Sequence, residues 1–452
     1  MVEKTYRIRI SLLSKLLAVV LTAAVWINDC IAQTLPSLIS DDETQTFLAK
    51  LIHPIFNAAG INFDKNKIYI INDNSLNAFV SDGNYMFVHT GTLINADTVN
   101  QLNGILAHET GHIAGGHIAR QKLRIEQLQG LSVASLVVAG AAAMATGRGD
   151  AALAVMLGSQ SSLINAMTAY QMQEERSADE SAVKYLAAIK QSPVGLKNFM
   201  KKIQFVNRLE GHKENSYFRT HPLSIEREEF FKHALQKNIY SEKSPYDEVF
   251  QLIKAKLSAF LLPVERAQKL YPESDKSLAG RYANAIIEYK KNNFVKSIKI
   301  LDELIKAYPT NPYYHELKGQ FLFESHQINA ALKSYENALK LKPDSNDIML
   351  SWAHTALEAP HDKDQLKNII ATLNKIQLTA PSKTAWILLA RAYAENDQKA
   401  QSLYASAQYS VAMKNYKTAK KQIEEAYKTA PEQLKLRLND LKNIISQQEL
   451  KE

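Results

Sequence analysis

The chain has 452 residues, 46% hydrophobic and 22% charged, with a formal net charge of +8. That length accommodates two domains and a large core, and the composition excludes a disordered or membrane-embedded chain. The mild basic excess permits weak attraction to anionic partners, but no nucleic-acid-binding pattern accompanies it, and the lysines read as solvated helix faces.

At the N-terminus, Lys4, Arg7, Arg9 and Lys15 precede an apolar run from Leu16 to Ile27, after which the chain reaches Ala32. A charged start, a short apolar stretch and a small-residue cut site predict a secretory signal peptide over residues 1–32. About 12 apolar residues are short for a membrane span; an uncleaved anchor is the alternative. Asp29 directly before Cys30 is wrong for a lipoprotein cleavage box. Cys30 is the sole cysteine, so the mature chain would hold neither a disulfide nor a thiol nucleophile. The expected location is a bacterial periplasm.

Residues 41–60 predict a helix, with Phe47, Leu48, Leu51, Ile52, Ile55 and Phe56 at helical spacing. The β-rich runs Lys67–Asn72, Asn77–Val80 and Tyr85–Thr90, the last two flanking an Asp82-Gly83 turn, predict a hairpin or small sheet. An edge strand there, around Asn77, Ala78 and Phe79, could hold an extended peptide by main-chain pairing. A strand that merely packs is the alternative.

Leu102 to Ile118 reads LNGILAHETGHIAGGHI. Within it, His108-Glu109-Thr110-Gly111-His112 is an HExxH motif. On a helix the two histidines lie one turn apart on one face and can share a Zn²⁺, with Glu109 beside the metal to polarise its water. Thr98 to Gln101 fits a capping box at the start of that helix. The third histidine of a metzincin would stand ten residues after the first; His117 stands at nine, and a continuing helix would turn it away from the metal face. It reads as supporting or structural.

Residues 131–145 and 151–157 are strongly apolar and are interrupted around Gly147 and Gly149. They predict two buried helices joined by a glycine turn, with a hairpin touching the membrane as the alternative. Next, Gln173 to Ile189 predicts a helix that can supply the missing third ligand of a gluzincin. Glu175 is the choice and Glu174 its competitor. Asp179, one turn on, could orient a metal-binding histidine through its other ring nitrogen. Further along, Thr220-His221-Pro222 and Arg227 form a compact polar group, in which Pro222 forces an extended or turn conformation at His221 that can hold its side chain at a fixed angle.

From about residue 277 helical pairs repeat. Pro309 and Pro343 stand 34 residues apart, the tetratricopeptide period. Gly319, Ala331, Tyr335 and Ala338 occupy the expected small and aromatic positions; Trp386, Leu389, Ala390 and Tyr393, and later Ala407, Ala419, Ala426 and Pro431, match further units. The spacing slips after Pro343 and again before Pro431. Such arrays bind peptides or proteins on a curved surface; a purely structural role is the alternative.

Together, Asn77-Ala78-Phe79, the HExxH motif, Glu175 to Asp179, Thr220-His221-Pro222 and Arg227 resemble the periplasmic β-barrel assembly-enhancing protease family, over nearly the whole chain. The resemblance implies that His108, His112 and Glu175 bind one zinc ion, that Glu109 is the general base, and that His221 caps the metal as an occluding fourth ligand. Arg227 would stabilise charge or brace the site. It also implies a role in quality control and assembly of outer-membrane β-barrel proteins, with the repeats contacting the barrel-assembly machinery. The expected fold is mostly α (α+β): a signal peptide over 1–32, a gluzincin-type peptidase domain with a small β-sheet over 33–262, and a tetratricopeptide array over 263–452. The expected activity is zinc endopeptidase; a chaperone or assembly scaffold with rare or latent proteolysis is the alternative.

Overall fold

The computed structural model describes residues 37–127, 138, 149–209, 217, 221–222 and 224–450. The leader with Cys30 and Ala32, the apolar run 131–145 apart from Val138, and Thr220 lie outside the described residues.

Helix α1 (Asp42–Ala59) forms on the expected apolar spacing, and all six of its large apolar residues are buried. It ends at Gly60, whose φ of +70° directs its N–H back to the carbonyls of Phe56 and Asn57; a side chain would strain that left-handed conformation. The sheet has four strands in the order β1-β2-β4-β3. Strand β1 (Leu38–Ile39) runs antiparallel to β2 (Ile68–Ile71), β2 parallel to β4 (Tyr85–His89), and β3 (Ala78–Ser81) antiparallel to β4, with Phe79 opposite Phe87. The β3–β4 hairpin turns through Gly83 and Asn84, both at positive φ, a geometry that follows the twist of the strands. Ile70, Ala78, Val80, Met86 and Val88 face the core, while Tyr69, Phe87 and Phe79 stack across the outer face at centroid distances of 5.3 and 4.9 Å. Strands β1 and β3 are the two edges of the sheet among the described residues.

Two short steps follow, α2 (Thr90–Asn95) and the central helix α3 (Val99–Ala114). Thr98 caps α3 by accepting from Gln101 N. The reciprocal half of the expected capping box goes elsewhere, because Gln101 Oε1 accepts from Asp97 N instead. Helix α4 (Gly149–Ala188) is one continuous 40-residue helix. This corrects the expectation of a separate buried helix over 151–157, and several of its residues near 170, Met167, Tyr170 and Met172, are exposed. The correction has a simple physical reason: Ala, Leu, Met, Gln and Glu all favour helix, and no proline interrupts them. Helices α5 (Val194–Leu209) and α6 (Ile225–Gln236) complete the domain. No helix among the described residues is long and apolar enough to cross a membrane.

Helix α7 (Asp247–Leu261) belongs to both halves. Phe250, Ile253 and Leu257 enter the core of the sheet domain, while Ala255 and Ala259 enter the core of the first repeats. The expected boundary at residue 262 therefore falls just after a helix common to both cores. Beyond the short α8 (Val264–Leu270) come five helical hairpins, built from α9 (Leu278–Lys290), α10 (Phe294–Ala307), α11 (Pro312–Glu324), α12 (Ile328–Leu341), α13 (Asn346–Glu358), α14 (Lys363–Thr379), α15 (Lys383–Glu395), α16 (Lys399–Ala412), α17 (Tyr416–Tyr427) and α18 (Glu432–Glu449). Gly319 lets the Tyr335 ring pack directly on its helix. The slip in repeat spacing after Pro343 has a local cause: α14 runs 17 residues where α10 and α12 run 14.

The two halves meet at the start of α1. Lys256 on α7 reaches Asp41 at 2.6 Å and Glu43 at 3.0 Å, and Glu43 also accepts from Tyr282 Oη at 2.9 Å. Tyr313 donates to Asp42 and Ser40 to Asp347. A buried ionic network thus joins the sheet domain, the shared helix and the repeats.

Candidate metal centre

Helix α3 is buried from Val99 to His112, and glycine permits that. A Cβ on Gly104 would lie 2.6 Å from Leu196 N, and one on Gly111 would lie 2.8 Å from the Ala178 carbonyl. The second of these contacts sets the site. With Gly111 against Ala178, helix α4 passes close enough for Glu175 and Asp179, on either side of Ala178, to face the histidines of α3.

Four ligand atoms converge there. His108, His112, Glu175 and His221, all buried, offer atoms that lie within 4.8 Å of one another. His108 Nε2 is 3.1 Å from His112 Nε2 and 3.3 Å from Glu175 Oε2. His112 Nε2 is 3.3 Å from Glu175 Oε1. His221 Nδ1 is 2.9 Å from Glu175 Oε1 and 3.3 Å from His108 Nε2. Tetrahedral zinc with bonds of about 2.0–2.1 Å needs ligand atoms about 3.3 Å apart. The donor set, three imidazoles and one carboxylate, and its spacing both fit a zinc ion.

The electrostatics ask for a cation as well. Glu109, Glu175 and Asp179 are each at most 1% exposed, and Arg227 is the one permanent cation among them. Burial works against charge on His108, yet Glu175 and Asp179 push its pKa up to about 10. Burial likewise opposes charge on Glu175, but His221 and His108 hold it well below the ordinary carboxylate range. Burial dominates at His112, pushed down to about 3, and at His117, pushed down to about 4. Glu109 is raised above its ordinary value by burial; its Oε1 has no hydrogen-bond partner and faces His221 Nε2 at 3.5 Å. A buried carboxylate left open on the metal side is suited to accept a proton.

A shell of contacts fixes these groups. Asp179 Oδ1 holds His108 Nδ1 at 2.9 Å. Arg227 grips Asp179 with Nε at 2.6 Å and Nη2 at 2.9 Å. Its Nη1 pairs with Glu175 Oε2 at 2.9 Å and donates to the Pro222 carbonyl at 2.9 Å. Arg227 thus ties α4 to the His221-Pro222 turn, in the position of a brace. His221 N also donates to the Tyr217 carbonyl at 2.7 Å, and the two rings pack at 4.6 Å. Glu174 points elsewhere, pairing with Arg124 at 2.9 Å.

The remaining predicted residues lie on the adjacent edge of the sheet. Asn77 is buried, its carbonyl accepting from His89 N and Thr92 Oγ1 and its Oδ1 unpartnered. Ala78 faces the core and Phe79 the outer face, and β3 packs against α3. Sequence reasoning missed two contributors. Gly111 stands at a variable position of the HExxH motif, yet Gly104, Ala107 and Gly111 form a small-residue stripe at helical spacing that signals close helix contact. Tyr217 had no sequence signal.

Residues 42–234 match Peptidase family M48. The chain is 24% identical over 352 residues to the beta-barrel assembly-enhancing protease of Yersinia pestis, covering 75% of this chain and 70% of that protein. The protein of the same name from Escherichia coli K12 is 22% identical over 360 residues with the same coverage. Metalloprotease LoiP of E. coli K12 is 28% identical over 183 residues, 40% of this chain and 67% of that protein. Among solved structures, YrrB, a tetratricopeptide protein with an unusual peptide-binding site, aligns with 39% of this chain and 92% of its own at 17% identity and a TM-score of 0.31.

Proposed function

We propose that this chain, a zinc metalloprotease with an M48-type peptidase domain and a tetratricopeptide array, works in the periplasm as an endopeptidase on misassembled outer-membrane β-barrel proteins and assists their assembly. The observation that carries the peptidase reading is the convergence of His108, His112 and Glu175 on one point beside the buried, unpartnered Glu109 oxygen. The names of the relatives support the outer-membrane role.

His108, His112 and Glu175 would hold the metal. Zinc bound there supplies Lewis acidity toward water and the scissile carbonyl. Glu109 takes the proton of the attacking water at Oε1 and returns it to the leaving amine nitrogen. Asp179 keeps the His108 proton on Nδ1, leaving Nε2 free as a ligand atom. Arg227 braces Asp179 and Glu175. The free main-chain edge of β3 around Ala78 pairs with an extended substrate and lays its backbone across the site. His221 stands where a fourth ligand would sit and so excludes water until a substrate displaces it, which makes the resting enzyme latent. The repeats would contact the barrel-assembly machinery.

The latch position of His221 also favours a second reading, a scaffold that cuts rarely. Metal content and casein cleavage of wild type, Glu109→Gln and His221→Ala separate the two. The peptidase reading expects about one zinc per chain in wild type and Glu109→Gln, an inactive Glu109→Gln, and His221→Ala faster than wild type. Cleavage by Glu109→Gln at the wild-type rate overturns it. A cellular assembly defect rescued fully by Glu109→Gln favours the scaffold.

A further inference from the structure

We propose that His117 is a positioning residue for the metal site, accepting the Nδ1 proton of His112 on its own Nδ1 and so fixing the tautomer and tilt of that ligand. The inference rests on the reading of His112 as a zinc ligand.

His112 presents Nε2 to the cluster, at 3.1 Å from His108 Nε2 and 3.3 Å from Glu175. A neutral imidazole that ligates through Nε2 carries its proton on Nδ1. That nitrogen faces away from the metal, into the protein, and lies 2.9 Å from His117 Nδ1, with the two rings edge to face. His117 is 2% exposed. Since His112 must donate, His117 must accept, which places its own proton on Nε2. One hydrogen bond therefore sets two tautomers.

The backbone is built for this contact. A helix continuing past Ala114 would carry His117 around to the wrong face. Instead α3 stops at Ala114, Gly116 adopts a φ of +64°, and residues 117–127 start a new helical stretch. The His117 ring then folds back over the turn into space that a side chain on Gly115 would fill, since a Cβ there would fall 2.3 Å from His117 Nε2. The Gly115-Gly116 pair thus has a definite use: it returns a histidine to the back of the metal ligand five residues earlier.

The two ligand histidines are consequently supported by different chemistry. His108 donates to the Asp179 carboxylate, which Arg227 holds in turn. His112 donates to an imidazole with no ion pair behind it among the described residues. An anionic acceptor makes its ligand more basic, while a neutral acceptor orients without that gain. His117 can therefore be altered without touching the Asp179–Arg227–Glu175 network.

The test uses two substitutions of nearly equal shape in the full chain. In His117→Asn, Oδ1 can occupy the place of Nδ1 and keep the acceptor; in His117→Leu a methyl group stands there. The zinc dissociation constant is measured by competition with a chelator, alongside the melting temperature of each metal-free protein. The expectation is zinc binding about 10–100-fold weaker in His117→Leu, Asn within about threefold of wild type, and equal melting temperatures for the two metal-free variants. Wild-type affinity in His117→Leu overturns the proposal, and so does equal weakening in both variants, which would assign the effect to ring packing. A wild type that holds no zinc overturns the metal reading itself and this inference with it.

Discussion

Around the metal centre, His108, Glu109, Glu175, Asp179 and Arg227 are buried within reach of one another. The repeat array fills its interior with Ala, Leu, Ile and Tyr, and two of its buried hydroxyls find partners close at hand: Ser297 in the Ala285 carbonyl of the same hairpin, Thr355 in the Ser351 carbonyl of its own helix. In the first region each charge depends on partners from three chain segments far apart in sequence. In the second, away from the junction, Ser297 and Thr355 depend only on their own hairpin or helix. A charged interior must assemble all at once and leaves an excess of negative groups that a cation completes. A repeat interior assembles locally and is complete without one.

Metal removal tests that contrast most directly. A ligand bound only by the folded state, present at about 1,000 times its dissociation constant, adds about 4 kcal/mol of stability. Chelation of the zinc-loaded chain should therefore lower its melting temperature sharply, with the loss confined to amides of α3, α4 and α6 in hydrogen exchange. Equal loss of protection in α15 to α18 would mean that the two halves do not differ in this way.

The ionic network at the domain junction is where the two interiors meet, and there the array borrows the rule of the metal centre. Lys256 is nearly buried between Asp41 and Glu43. Removing one partner from a buried ion pair typically costs about 3–5 kcal/mol, because the other charge is left without compensation. Lys256→Met should lose about that much in urea denaturation. A loss below about 1 kcal/mol would show the junction to be solvated and dispensable.

Legibility in the sequence follows the same division. The repeats were readable from periodicity, since Gly319, Tyr335, Ala338 and Pro343 recur at the spacing of the structure they form. The HExxH helix was readable because its chemistry is compressed into five residues. The junction was not: nothing local marks Asp41, Glu43, Lys256 and Tyr282 as partners, and only the fold brings residues 239 apart into one hydrogen bond. His117 was readable by spacing only as a residue off the metal face, because the reversal at Gly116 depends on a single φ. The 40-residue length of α4 was hidden by the glycines of the sequence at 147 and 149, which signal a turn, and by an apolar composition over 151–157 that reads as a separate short helix.

One substitution made in both regions sharpens the comparison. Gly111→Ala sets a methyl group 2.8 Å from the backbone of Ala178, which cannot yield without moving α4. Overpacking of this kind costs about 1–3 kcal/mol, and displacement of Glu175 should lower zinc occupancy in the same protein. Gly319→Ala meets the Tyr335 ring at 2.9 Å, a side chain that can turn aside, so its loss should be smaller and zinc occupancy unchanged. Equal losses, with zinc retained in both, would remove the special role of the α3–α4 contact.

The smallest effect is a pH dependence of the metal-free chain that zinc should reduce. Against the effect of burial, Glu175 and Asp179 raise the His108 pKa to about 10 in the folded chain, compared with about 6.5 when unfolded. A folded-state pKa above the unfolded one contributes stability that is full below about pH 6.5 and lost as pH rises toward 10. Between pH 7 and 8 His108 should therefore account for a loss of up to about 1.4 kcal/mol in the metal-free chain, the limit for one proton per pH unit. The repeat side has one group in the same window, because burial pushes Glu316 up to about 8, while Tyr282 and Lys256 are raised well above their ordinary values and titrate outside it; the part of the slope that zinc removes is the part that belongs to His108. Zinc should remove the His108 part of the slope, since ligation leaves no proton on His108 Nε2 to be released. A metal-free chain whose stability is flat from pH 7 to 8, or a zinc-loaded chain with the same slope, would mean that the carboxylates of the centre do not hold a cation in place of the metal.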